Sequence, residues 1–208
     1  DEKYANNPTK FVEGLYRIGI GEPLNLEIPG YQPPIIRYPN KQNWWKTTLA
    51  WMSIGYETQI APINTLAFYN AIANNGRMVK PRFVKAIMRD GEVIEEFPVE
   101  GLKESICSSS ALKKMQDMLE GVVSKGLGKQ AGSKQFHVSG KTGTAQVAQG
   151  AGGYKSGAMQ YLVSFCGYFP SESPQYSCIV AIRKPGYPAS GGGMAGPVFS
   201  RIAERVMA

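Results

Sequence analysis

The stretch Ser139-Gly140-Lys141-Thr142-Gly143-Thr144-Ala145-Gln146 constrains this chain more than any other. It follows Phe136-His137-Val138, and together residues 136–148 read as one β-strand. Successive side chains on a strand face opposite sides, so Lys141 and Gly143 share one face and Thr142 and Thr144 the other. Bringing the lysine and the hydroxyls to one place therefore requires twist or distortion. Gly143 has no side chain, so a ligand can approach the backbone closely there. The Thr144 N–H can donate to a carbonyl oxygen that becomes an oxyanion. A cation on a flexible stem, two hydroxyls and a free amide suit a substrate with a terminal carboxylate and a scissile carbonyl.

Two further β-rich runs, 161–169 and 176–184, are separated by the turn Pro170-Ser171-Glu172-Ser173-Pro174-Gln175. They are expected to pair with the lysine strand as an antiparallel sheet. The remaining elements are mostly helical. A helix is predicted over 62–75, with Pro62 at its first position and Gly76 beyond its end. Another is predicted to begin after Ser108-Ser109-Ser110, with Leu112, Met115, Met118/Leu119 and Val122 as its core stripe. A last helix, 197–207, follows Gly191-Gly192-Gly193 and presents Val198/Phe199, Ile202 and Val206. Residues 83–88 and 92–97 flank Asp90-Gly91, a hairpin signal. Residues 31–50 are too proline-rich for a helix, and Trp44 and Trp45 are expected to anchor them. No internal repeat or linker is visible, so 1–208 reads as part of one α+β domain, an antiparallel sheet packed by helices.

Composition narrows the function classes. The chain has 208 residues, 43% hydrophobic and 19% charged, with formal net charge +7. No apolar run reaches the roughly 18 residues of a membrane span, and no Lys/Arg run makes a nucleic-acid patch. A basic surface near an anionic polymer such as a cell wall is compatible with this charge. Cys107, Cys166 and Cys178 form no Cys-x-x-Cys pair and His137 is the only histidine. That excludes a zinc site. Cys166 and Cys178 could face each other on neighbouring strands and form a disulfide, but two buried thiols are the expectation. The opening, Asp1-Glu2-Lys3-Tyr4, reads as the inside of a helix, so the chain is expected to be a piece of something longer.

Val138 to Gln146 resembles the lysine strand of class B penicillin-binding proteins, the D,D-transpeptidases of bacterial cell-wall synthesis. The resemblance extends over about residues 10–208. Ser53-Ile54-Gly55-Tyr56-Glu57 with Ala61-Pro62-Ile63 is similar to the family's Gly-Tyr…Thr-Pro segment. Phe68 to Gly76, Lys80-Pro81, Gly121-Val122-Val123 and Gly192 to Phe199 also match. In Gly126-Leu127-Gly128, Leu127 stands where the family has threonine. The resemblance is closest to the division-specific, FtsI-type enzyme. It implies a partial serine-β-lactamase-like fold, a periplasmic site on a membrane-anchored parent, and no cofactor. The implied partners are stem peptides ending in D-Ala-D-Ala, β-lactams, and division or cell-wall synthesis proteins. It implies that Lys141 serves the catalytic electrostatics and proton network. Thr142, Gly143 and Thr144 would bind substrate, the two threonines holding its carboxylate, and the Thr144 amide would form half of an oxyanion hole. A D,D-carboxypeptidase or β-lactamase of the same superfamily, or a non-catalytic β-lactam sensor or scaffold, are the rival readings.

The family also uses a nucleophilic Ser-x-x-Lys and a Ser-x-Asn. No Ser-x-Asn occurs in this chain. The one Ser-x-x-Lys, Ser110 to Lys113, lies between the hairpin and the lysine strand, far from where the family keeps its nucleophile. It sits at a predicted helix start, where serine commonly caps. Ser110 therefore reads as a decoy, and this chain alone is expected to be inactive. His137 is expected to point away from the site, and Trp51 and Tyr56 to anchor core or loops. In the family the strand resembling 176–184 pairs with a strand supplied upstream. A bare edge there predicts a swapped or edge-paired homodimer, or a second chain supplying the missing part.

Overall fold

The computed structural model describes residues 2–39, 42–148, 153–154, 159–183 and 186–208. The backbone clusters into two compact units, one of residues 1–71 and 76–107, the other of residues 72–75 and 108–208.

The first unit opens with helices α1 (Glu2–Ala5) and α2 (Pro8–Arg17). Asn7 caps α2 by accepting the Lys10 N–H at 3.3 Å, and Pro8 occupies the first turn, where its missing donor costs nothing. Val12 of α2 is fully buried with Ile36 and Met52, and Phe11, Leu15, Tyr16, Tyr38 and Trp44 close around them. Ile36 lies on β1 (Ile35–Ile36) and Met52 on α3 (Thr48–Ser53). β1 pairs antiparallel with β2 (Thr58–Gln59). Trp44 is the anchor the sequence predicted, but Trp45 is 64% exposed. Trp45 contributes through its backbone instead, its N–H donating to Thr48 Oγ1 at the entry to α3. Trp51 and Tyr56 meet edge to face at 5.6 Å, and Trp51 is half exposed, so this pair braces a loop and does not enter the core.

Helix α4 (Pro62–Ala73) ends where Asn75 and Gly76 take φ values of 52° and 88°, a left-handed stop that glycine accepts without strain. β3 (Met78–Val79) then pairs with β6 (Gly101–Lys103). Between them, β4 (Ala86–Arg89) and β5 (Glu92–Glu96) form the predicted hairpin. Asp90 (φ 52°) and Gly91 (φ 85°) supply the two positive φ angles its turn requires.

The second unit holds helix α5 (Ser109–Ser124), three strands and helix α6 (Gly196–Met207). β7 (Ser139–Val147), β8 (Gln160–Phe169) and β9 (Tyr176–Arg183) form an antiparallel sheet in chain order. Lys141 lies opposite Cys166, and Cys166 opposite Ile179. The predicted end of the last strand, Lys184, lies outside the described residues. On one sheet face Val138, Phe165 and Phe169 pack with Val123, Ala131, Ala195, Phe199 and Ala203. Phe199 meets Phe165 and Phe169 edge to face at 4.7 and 5.7 Å.

Both predicted helix stripes are rotated from their expected positions. On α5 the buried residues are Leu112, Leu119 and Val123, whereas Met115 and Met118 are exposed. On α6 they are Phe199 and Ala203, and Ile202 and Val206 stand 38% and 46% exposed. Positions i+3 and i+4 flank the same helical line, so a sequence with apolar residues at both leaves the choice to tertiary packing. The cysteines are free thiols. Cys166 is buried and Cys178 only half-buried; Cys178 lies opposite Gly167, so the two side chains leave the sheet on opposite faces. That geometry, and not a preference for reduced thiols, is what forbids a bridge.

Candidate active site

β7 is an edge strand among the described residues, because only β8 pairs with it. Half of its backbone N–H and C=O groups therefore point away from the sheet. Lys141 is exposed, and its stem crosses this open rim so that Nζ donates to the Thr142 carbonyl oxygen at 2.9 Å. Nζ also lies 3.5 Å from Thr142 Oγ1. The pleat thus stays regular, as the register shows. Lysine and the Thr142 hydroxyl meet because a long side chain can bend around an edge, with no strand distortion needed.

The same contact orients the backbone. The Thr142 carbonyl is on the open rim, and backbone groups alternate sides along an antiparallel strand. The Thr144 N–H therefore also faces the rim, two residues further on. Behind the strand, the segment Gly191–Ala195 winds one wide helical turn into α6. Gly191 N–H donates to Thr144 Oγ1 at 3.1 Å. A β-carbon on Gly191 would stand 2.7 Å from the Ser164 carbonyl oxygen and 3.0 Å from the Gly143 nitrogen, so only glycine lets this turn lie against the sheet. The contact with Thr144 is not visible in the sequence. The run Gly191-Gly192-Gly193 was the signal for it, since consecutive glycines mark close backbone approach.

Ser110 is exposed on the first turn of α5, but the residue that caps the helix is Ser108, whose Oγ accepts the Ala111 N–H at 3.3 Å. Ser110 Oγ lies 3.3 Å from Ser108 Oγ. Lys113 donates to Asp117 at 2.7 Å, and that hydrogen bond raises its pKa from the ordinary lysine value.

His137 precedes β7, and its Nδ1 lies 2.7 Å from Glu172 and 3.4 Å from Glu120. Ser139, buried at the start of β7, shares a 2.8 Å hydrogen bond with Ser171. These contacts fix the strand's entry from its β8–β9 end. A groove of about 1150 Å³ is lined by Asp117, Glu120, Ser124, Ser133, His137 and Ser200 among others, and not by Lys141, Thr142 or Thr144. We place the site instead on the β7 rim, where Lys141 and the Thr142 hydroxyl meet. Among the described residues no cluster of His, Cys, Asp and Glu is arranged to hold a metal. No helix among them is long and apolar enough to cross a membrane.

The family model for the penicillin binding protein transpeptidase domain matches residues 2–204. The chain belongs to that family. It is 30% identical over 206 residues to penicillin-binding protein PbpB of Mycolicibacterium smegmatis, covering 94% of this chain and 31% of that protein. It is 27% identical over 218 residues to the peptidoglycan D,D-transpeptidase FtsI homolog of Mesostigma viride, covering 96% and 36%. Among solved structures, penicillin-binding protein 3 of Mycobacterium tuberculosis superposes with a TM-score of 0.81 at 28% identity, covering 97% of this chain and 46% of that one. The same protein complexed with aztreonam gives 0.79 at 28% identity, covering 95% and 45%. The chain spans about a third of the length of the curated relatives it matches.

Proposed function

We propose that residues 1–208 are the C-terminal portion of a peptidoglycan D,D-transpeptidase domain and carry the lysine-strand half of its active site. The two units belong to one domain in this reading, because the family match runs through both. The observation that carries it is the open edge of β7, where Lys141 Nζ reaches the Thr142 carbonyl and lies 3.5 Å from the Thr142 hydroxyl, with Thr144 two residues further along the same strand. One solved relative, penicillin-binding protein 3 of Mycobacterium tuberculosis, is complexed with aztreonam in one structure and ampicillin in another.

In this reading the two threonines hold the carboxylate of a stem peptide ending in D-Ala-D-Ala, or of a β-lactam. Lys141 supplies positive charge and a proton path. The Thr144 N–H stabilises the oxyanion as a serine attacks the penultimate D-Ala carbonyl. D-Ala leaves, and an amine of a neighbouring stem peptide takes the acyl group. The serine is supplied from outside residues 1–208, and the reaction takes place on the periplasmic side of the membrane. The far edge of β9 is unpaired among the described residues and receives a strand from that same source, or from a second copy when the segment is alone.

The test is fluorescent-penicillin labelling of the longer polypeptide that carries this segment. Lys141→Ala is expected to slow labelling at least about 100-fold, in line with loss of a positioned proton-transfer group, and Ser110→Ala to leave it unchanged. Labelling that survives Lys141→Ala, or disappears with Ser110→Ala, overturns the assignment.

A further inference from the structure

Both faces of the β4–β5 hairpin of the first unit are exposed, one carrying Met88 and Val93 with Glu96, the other Ile87 with Arg89, Glu92 and Glu95. Its register shifts between Ile87 and Met88, so Met88 pairs with Val93 while Ile87 pairs with Glu95. Ile94 is the extra residue. Such a bulge sets two residues of one strand opposite one of the other, here Val93 and Ile94 against Met88. These three side chains are 58%, 54% and 60% exposed. Phe83, Val84 and Val99, at the hairpin's base, are also more than half exposed. A two-stranded hairpin is marginally stable in water, and a run of bare apolar residues on one face marks a surface awaiting a partner.

Charge narrows the partner. Residues 82–100 hold three basic and five acidic side chains, on a chain of net charge +7. Glu92, Glu95 and Glu96 lie on β5, are exposed, and take no ion pair among the described residues. Two copies joined through β5 would bring these carboxylates together, which like-charge repulsion across strands opposes. An anionic membrane surface is disfavoured for the same reason.

We infer that β5 docks an extended segment of another protein whose apolar residues alternate with lysine or arginine, added as a third strand to the hairpin. Its backbone pairs with the free edge of β5. Its apolar side chains extend the Met88–Val93–Ile94 face, and its basic side chains stand across from Glu92 and Glu95 on the other. The inference is independent of the β7 site.

The probe is a ten-residue peptide alternating valine and lysine, compared with its valine–glutamate counterpart, by fluorescence anisotropy on the intact protein. Non-specific attraction to residues 1–208, of net charge +7, favours the acidic peptide, so preference for the basic one reports the hairpin. We expect saturable binding of the basic peptide that weakens with salt. Glu92→Lys/Glu95→Lys should weaken it at least tenfold and Val93→Asp should abolish it, both with unchanged circular dichroism. Val93→Ile, which keeps the face apolar, should retain it and controls for loss of fold. Absent saturation, stronger binding of the acidic peptide, or equal binding by the charge-reversed protein overturns the inference. So does concentration-dependent dimerisation lost with Val93→Asp, which would assign the face to a second copy.

Discussion

Replacing Gly191 with alanine places a methyl group 2.7 Å from the Ser164 carbonyl oxygen and 3.0 Å from the Gly143 nitrogen. Both are backbone atoms of paired strands, so neither can turn aside as a side chain would. The glycine segment must lift off the sheet. Overpacking of this kind costs about 1–3 kcal/mol. Lifting also breaks the hydrogen bond from Gly191 to Thr144 Oγ1, worth about 1 kcal/mol. The expected loss is about 2–4 kcal/mol. Gly121→Ala is the matched control: it lies inside α5, and a β-carbon there meets nothing within 4 Å. It should stabilise by about 0.5–1 kcal/mol, because alanine orders more cheaply in a helix. Urea unfolding, followed by far-ultraviolet circular dichroism, measures both. The same glycine-to-alanine change is thus predicted to act with opposite signs at two sites of one unit. If Gly191→Ala shifted stability by less than 0.5 kcal/mol, the turn would not rest on β7 as described.

Three further outcomes are expected. Thr144→Val removes the acceptor for the buried Gly191 N–H and should cost about 1–3 kcal/mol in urea, with Thr144→Ser restoring most of it; equal losses in the two variants would refute the role of the hydroxyl. Phe199→Ala should cost about 3–5 kcal/mol, since its ring is fully buried against Phe165 and Phe169; a loss below 1 kcal/mol would show that α6 does not close this core. Burial, with a smaller contribution from Cys178, pushes the Cys166 thiol well above its ordinary value. A group raised in the folded state keeps its full contribution below the unfolded thiol value of 9.0 and loses it as pH rises further. Urea midpoints should therefore fall from pH 8 to pH 10.5 more steeply in the native protein than in Cys166→Ala, and identical slopes would count against a buried thiol.

The sheet and its neighbours were legible because their signals are local. Asp90-Gly91 encodes the positive φ of a turn, Pro62 and Gly76 bracket α4, and alternating apolar runs set β8 and β9. The residues that make the site, Lys141 to Thr144, were legible as chemistry but not as geometry. The strand pattern alone placed lysine and hydroxyls on opposite faces, and nothing in it said that β7 would be an open edge around which Lys141 could bend. Edge or centre is decided by which strands exist elsewhere, a long-range fact. The helix stripes held at Leu112, Leu119 and Phe199 and missed elsewhere for a related reason: Val122 and Val123 are equally apolar, and only the packed sheet chooses between them. Ser108 and Ser110 likewise compete for one cap, and the choice turns on where the helix starts.

The wide turn behind β7 also settles a question of polarity. A threonine hydroxyl is ambidextrous, able to give its hydrogen or to receive one. At Thr144 the glycine amide already fills a receiving position, and at Thr142 the ammonium crowds the oxygen. Both hydroxyls are thereby biased to present hydrogens outward, alongside whatever charge the lysine brings. The rim is poised to greet electron-rich visitors and to turn away donors before any bond is made or broken.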